Sequence, residues 1–231
     1  MKKVLFALLG TSPSVLTETI WALSREDPAV IPDRVVALTT TIGRESVIQA
    51  LLSGKTTGWQ RLLKTLERDG HNLESKLRFG DTSESIRLFP SPCGTYDLED
   101  IATSAHNDAA ADFIMRELRG FTENPETSVL ASIAGGRKTM SALLMSCMSL
   151  LGRRQDRVLH VLVNSPYDTP VEPQFLFPEK GVKYKTRTGE SIAVRPEIEL
   201  IDVPFVRMRG WYEDSFKSDP HSYERLVAGV Q

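Results

Sequence analysis

Two short stretches hold side chains that could do chemistry on an anion. "GTSPS" (10–14) sets Gly10 before two hydroxyls, Thr11 and Ser12, with Pro13 next. "AGGRKTMS" (134–141) sets Ala134, Gly135 and Gly136 before Arg137, Lys138 and Thr139. Glycine permits a tight turn and close approach of backbone to a ligand. A helix N-terminus offers unsatisfied N–H groups and a positive dipole end, and Arg and Lys add charge-assisted hydrogen bonds. Together these suit a phosphate. Alone, each loop also reads as a glycine turn with solvated polar residues; their joint occurrence favours the anion site. A third stretch, "TTTIGRES" (39–46), could bring Thr40, Thr41 and Arg44 to the same rim, or leave Arg44 solvated.

Familiar nucleotide motifs do not account for these loops. A phosphate-binding P-loop needs glycine directly before its lysine, but Arg137 precedes Lys138. The first turn does not follow G-x-G-x-x-G, so a dinucleotide oxidoreductase is unsupported. The four histidines are scattered and neither Cys93 nor Cys147 stands in C-x-x-C spacing, so no metal site, disulfide framework or cofactor is indicated. Arg154 and His160 fit a loose R-x5-H ribonuclease pattern. His160, however, sits inside the apolar run "VLHVLV", which favours a core or strand-facing histidine.

The elements around the loops alternate. Strand-like runs at 3–9, 34–40, 85–89, 128–134 and 157–163 are nearly continuously apolar, as strands buried on both faces are. Between them lie helical spacings: Val15, Leu16, Ile20 and Leu23, with Ser12 and Pro13 as an N-cap and first-position pair; then Val47, Ile48, Leu51 and Leu52, with Gly54 at a helix end. Further helices are predicted over 58–70, within 97–119, and after the basic pair at 137–138. This order predicts an α/β fold: a Rossmann-like parallel sheet with helices on both faces. In such sheets ligands sit beyond the carboxyl ends of the strands, where both glycine loops fall.

From Ser165 the character changes. Four prolines fall between 166 and 178, followed by the strand-like runs "ESIAV" and "EIELIDVPFVRM". The expectation is a single domain over 1–231, with a core at 1–165 and a β-rich C-terminal extension at 166–231. A separate second domain of that size would have a marginal core.

Composition narrows the partners. A formal charge of −2 and 41% hydrophobic residues describe an ordinary soluble core without the broad basic face that long nucleic acid requires. "MKKVLFALLGTS" imitates a signal peptide, yet its apolar run, Val4 to Leu9, is shorter than the usual ~7–15 residues and lacks a cleavage site. No run approaches the ~20 apolar residues of a membrane span. A cytoplasmic protein is expected.

Four segments carry a family resemblance: "LLGTSPSVLTETIWAL", "SIAGGRKTMSALL", "VLVNSPYD…FLFP" and "IELIDVPFVRMR". From about residue 4 to 210 the chain resembles the CRISPR-associated Rossmann fold (CARF) proteins, in the branch of the sensor halves of CARF–HEPN ribonucleases. The resemblance implies a homodimer whose two-fold axis passes through a pocket for a cyclic oligoadenylate second messenger. Only residues 210–231 follow the last motif, and a CARF unit without an effector resembles the ring nucleases that cut the messenger. On that reading Ser12, Arg137 and Lys138 are catalytic. Gly10, Thr11, Pro13, Thr40, Thr41, Arg44, Ala134, Gly135, Gly136 and Thr139 bind the ligand.

Overall fold

Successive residues of the first strand belong to opposite halves of the core. In the computed structural model, which describes residues 1–211 together with Tyr223 and Val227, β1 (Lys2–Leu8) sends Val4, Phe6 and Leu8 to one face and Leu5 and Ala7 to the other. Strand side chains alternate, so a strand apolar at every position must be covered twice. The same division runs through β2 (Arg34–Thr39) and β4 (Thr127–Ser132): Val36, Leu38, Val129 and Ala131 face one way, Val35, Ala37 and Leu130 the other.

The helices divide accordingly. On the Phe6 face pack α4 (Ser104–Thr122), through Phe113, Ile114 and Leu118, and α5 (Lys138–Leu151), through Met140, Leu144, Cys147, Met148 and Leu151. Covering the Leu5 face are α1 (Ser14–Leu23), through Leu16, Ile20 and Leu23, and α3 (Gly58–Arg68), through Trp59, Leu62 and Leu66. Between β2 and α3, α2 (Thr41–Val47) runs into a π turn (Ile48–Leu52), which buries Val47 and Leu51 and ends just before Gly54.

With β3 (Ile86–Leu88), β5 (Arg157–Val163) and β8 (Ile198–Asp202), the six-stranded sheet has the order β3-β2-β1-β4-β5-β8. All its pairs are parallel except β5 with β8. The predicted Rossmann-like α/β fold is therefore the observed one. The chain leaves β1 toward β2 on one side and later returns to β4 on the other. That reversal makes the β1–β4 junction the topological switch point, where open α/β sheets form their binding crevice.

The C-terminal segment is β-containing but differs in detail from its expectation. "EIELIDVPFVRM" is a strand only over β8, and it joins the main sheet as an antiparallel edge. "ESIAV" makes one isolated bridge, Ser191 to Lys185, while the short hairpin strands are β6 (Val171–Glu172) and β7 (Lys185–Thr186). Tyr167, Phe175 and Tyr184 pack edge-on or tilted with ring centroids 4.9–5.6 Å apart. Leu176 and Phe177 enter the α1/α3 core, and the Thr17 hydroxyl donates to the Leu176 carbonyl at 2.6 Å. The remainder of the extension, from 212 on, lies outside the described residues apart from Tyr223 and Val227. Among the described residues no helix is long and apolar enough to cross a membrane.

Candidate functional site

The two glycine loops meet. A Cβ placed on Gly10 would stand 3.2 Å from the Gly136 Cα, and one on Gly135 would stand 2.3 Å from the Leu8 carbonyl oxygen. Only a residue without a side chain lets the β4–α5 turn cross the end of β1 this closely. Gly136 has φ +81, the left-handed conformation that glycine adopts without cost. The third loop reaches the same point: the Thr39 hydroxyl donates to the Leu9 carbonyl at 2.9 Å.

Helix starts at this junction differ from the expectation. Pro13, with φ −72 and ψ −11, itself occupies the cap of α1 and no side chain caps the helix. Ser12 is therefore not the N-cap: the helix begins one residue later, its hydroxyl bonds none of the first-turn N–H groups, and Ser12 and Thr11 are exposed. At α5 the cap residue is Arg137, again without a side-chain hydrogen bond to the first turn. Its own N–H donates to the Met140 sulfur at 3.3 Å, and the Ser141 hydroxyl donates to the Ile133 carbonyl at 2.8 Å, securing the turn from behind. Two helix N-termini without a side-chain oxygen on their first-turn N–H groups thus flank the switch point, and such ends favour anions.

The cations fare differently. Lys138 and Thr139 are exposed at the opening of α5, and Lys138 makes no ion pair with any described residue. Arg137 is engaged: its Nε donates to Asp100 Oδ1 at 2.7 Å and its terminal nitrogen bonds Asp100 Oδ2. That fork raises the guanidinium pKa and holds the Asp100 carboxyl below the usual range. Arg44 pairs with Asp81 at 2.6 Å, and both line a different cleft beside β3. The Thr40 hydroxyl accepts from the Gly43 N–H at 3.3 Å as the cap of α2, and the Thr41 N–H donates to the Leu98 carbonyl at 3.0 Å. The rim expected around one anion is therefore split, with Thr40 engaged as a helix cap and Arg44 held by the distant Asp81.

A cleft of about 870 Å³ opens beside the first loop. Thr11, Ser12, Ser14, Val15 and Glu18 form one wall, and Ala134 and Val161 to Val163 the floor. Tyr167, Asp168, Val171 and Phe175 of the extension close the far side, with Arg187 at the edge. Of the second loop, only Ala134 reaches it. Glu18 is 4% exposed and has no ion-pair partner among the described residues. Burial pushes its carboxyl up to about 7, against the pull of a hydrogen bond from Ser14.

Sequence reasoning missed Asp100 and Glu18. Asp100 lies 37 residues before Arg137 and meets it only in the folded state. Glu18 carried a signal: it follows Ser14 by one helical turn, so it shares a face with the residues leaving the loop. The ribonuclease-type pair lands apart in kind. Arg154 is exposed in a turn, while His160 is central in β5 with a buried, unpartnered Nδ1.

Fold and crevice define a doubly wound α/β protein whose two glycine loops meet at the switch point. The sequence profile of the family described as CRISPR-associated protein NE0113 (Cas_NE0113) matches residues 12–227, and the chain belongs to that family. Among solved structures it is similar to Enterococcus italicus Csm6 bound to cyclic hexa-2′-fluoro-hexa-dAMP, at 18% identity and a TM-score of 0.41, over 72% of this chain and 34% of that one. The chain thus spans about a third of the Csm6 length. No curated protein matches.

Proposed function

We propose that this chain is a metal-independent ring nuclease: a CARF-type homodimer that binds a cyclic oligoadenylate, preferentially cyclic tetra-adenylate, and opens it, ending type III CRISPR signalling. The observation that carries the reading is the contact of the two glycine loops at the switch point between two helix starts that lack a side-chain oxygen cap, with Lys138 beside them making no ion pair among the described residues. Membership of a CRISPR-associated family and the resemblance of the loop motifs to CARF proteins supply the ligand class.

Cleavage without a metal needs a ribose 2′-OH held in line with phosphorus and positive charge where the phosphorane forms. Lys138 and the α5 N-terminus supply that charge. Ser12 and Thr11 hold the sugar or phosphate, and Arg137 joins them once released from Asp100. An even-numbered ring shows the same phosphates on both sides, so two copies of the loops surround one ring. Residues 1–231 act as one unit in this scheme, in the cytoplasm.

Incubating the protein with labelled cyclic tri-, tetra- and hexa-adenylate in EDTA tests this. The expected products are linear fragments with 2′,3′-cyclic phosphate and 5′-OH ends, formed by one ring per two chains. An intact ring with no binding overturns the reading. An intact ring that is bound establishes the second reading, a sensor that regulates a partner. The Arg137–Asp100 fork favours that sensor, because it neutralises one of the two loop cations.

A further inference from the structure

Glu18 is the one buried carboxyl in the cleft, and the chemistry proposed above leaves it idle. It extends from α1 one turn past Ser14, lines the same cleft as Thr11 and Ser12, and has no cation beside it among the described residues. A buried carboxyl without a cation is costly to ionise, and such groups cluster at functional sites. Among the described residues it forms no ion pair and caps no helix.

Its surroundings leave little else to titrate it. The other charged groups lining the cleft are Asp168, Glu172 and Arg187, all exposed. On the elements packed against α1, Arg157 of β5 is held by Glu26 and Asp202, and Arg61 of α3 by Glu179. Glu199 of β8 and Lys64, Glu67 and Arg68 of α3 do not line the cleft.

We propose that Glu18 is the general base of the site, taking the proton from the ribose 2′-OH of the ligand. The inference rests on the ring-nuclease reading. The carboxylate accepts the 2′-OH proton and the 2′-oxygen bonds to the adjacent phosphorus. The phosphorus–O5′ bond then breaks, and the departing 5′-oxygen takes a proton from solvent. Glu18 returns its proton to solvent before the next turnover, and no water is consumed. A base must be partly ionised at working pH yet basic enough to take the proton. A carboxyl raised to about 7 meets both conditions where an exposed glutamate does not.

The test is single-turnover cleavage of labelled cyclic tetra-adenylate from pH 5.5 to 9, by the full chain and by Glu18→Gln, with affinity measured alongside. The wild-type rate should climb about tenfold per pH unit and level off above an inflection near 7. Glu18→Gln should be slower by about 100-fold or more, without that inflection, while its affinity stays within about threefold. Ser14→Ala provides a second reading: losing the hydrogen bond that favours the carboxylate should move the inflection to higher pH. A Glu18→Gln protein that cuts at the wild-type rate, or an inflection unmoved in Ser14→Ala, overturns the assignment and leaves the ring-nuclease reading intact. A wild type that binds the ring without cutting it overturns both.

Discussion

The α-helices among the described residues begin in two ways. Thr40, Thr57 and Thr103 each place a hydroxyl on a first-turn N–H, at 3.3, 3.0 and 3.1 Å, and so finish α2, α3 and α4. Beside the switch point, α1 and α5 begin without a hydroxyl on a first-turn N–H; at α5 the Met140 sulfur takes only the N–H of the cap residue Arg137. A cap is worth about 1 kcal/mol, and the chain forgoes it at the two helices whose N-termini a ligand could satisfy. Capped ends serve the fold; the more open ends beside the switch point suit the proposed ligand.

Substitutions at the two kinds of helix start should separate. The largest effect is expected from Lys138→Ala: ring cleavage at least 100-fold slower and affinity weaker by about 1.5–3 kcal/mol, the worth of a charged hydrogen bond. Its unfolding free energy should stay within about 0.5 kcal/mol of wild type. Calorimetry and urea melts read both, and unchanged affinity would remove Lys138 from the site.

Next comes Glu18, read through stability. Its folded carboxyl titrates near 7, above the ordinary 4.5. The folded state therefore holds the proton across that window while the unfolded state has lost it, so stability falls as pH rises from 4.5 to 7 and is flat above. Glu18→Gln should abolish this slope and gain at most about 3 kcal/mol over wild type at pH 8. Equal urea midpoints for the two proteins at pH 5 and pH 8 would show that Glu18 is not buried as described.

Gly135→Ala forces a Cβ onto the Leu8 carbonyl and should cost about 2 kcal/mol by strain, visible as a lowered urea midpoint. Thr57→Ala and Thr103→Ala should each cost about 1 kcal/mol with cleavage per folded molecule unchanged. Ser12→Ala should change stability least, by under about 0.5 kcal/mol, while slowing single-turnover cleavage more than it weakens binding. A cap-sized stability loss there would make Ser12 structural and erase the contrast between the two groups of helices.

Patterning made the sheet and its two coats readable: the nearly continuous apolar run in "KVLFALL" and the β-branched run "RVVALTT" became β1 and β2, buried on both faces. The two glycine loops were legible because glycine, hydroxyl and cation sit in consecutive positions. What escaped was pairing at a distance. Nothing local in "DLEDI" ties Asp100 to Arg137, and nothing near Arg44 announces Asp81, so two cations read as ligand-facing are ion-paired. Helix phase alone could have brought Glu18 to the loop, but its burial, which gives that carboxyl its character, is a property of the folded chain, where the extension lines the same cleft.

The antiparallel edge strand β8 bears on solubility. An open parallel sheet ends in unpaired N–H and C=O groups that can template pairing with other molecules. Here one border is β3, only three residues long. The other is β8, five residues carrying the exposed charges Glu199 and Asp202 and followed closely by Pro204. Both borders are poor templates for strand addition, so crowded copies of the chain are protected from fusing edge to edge into extended sheets.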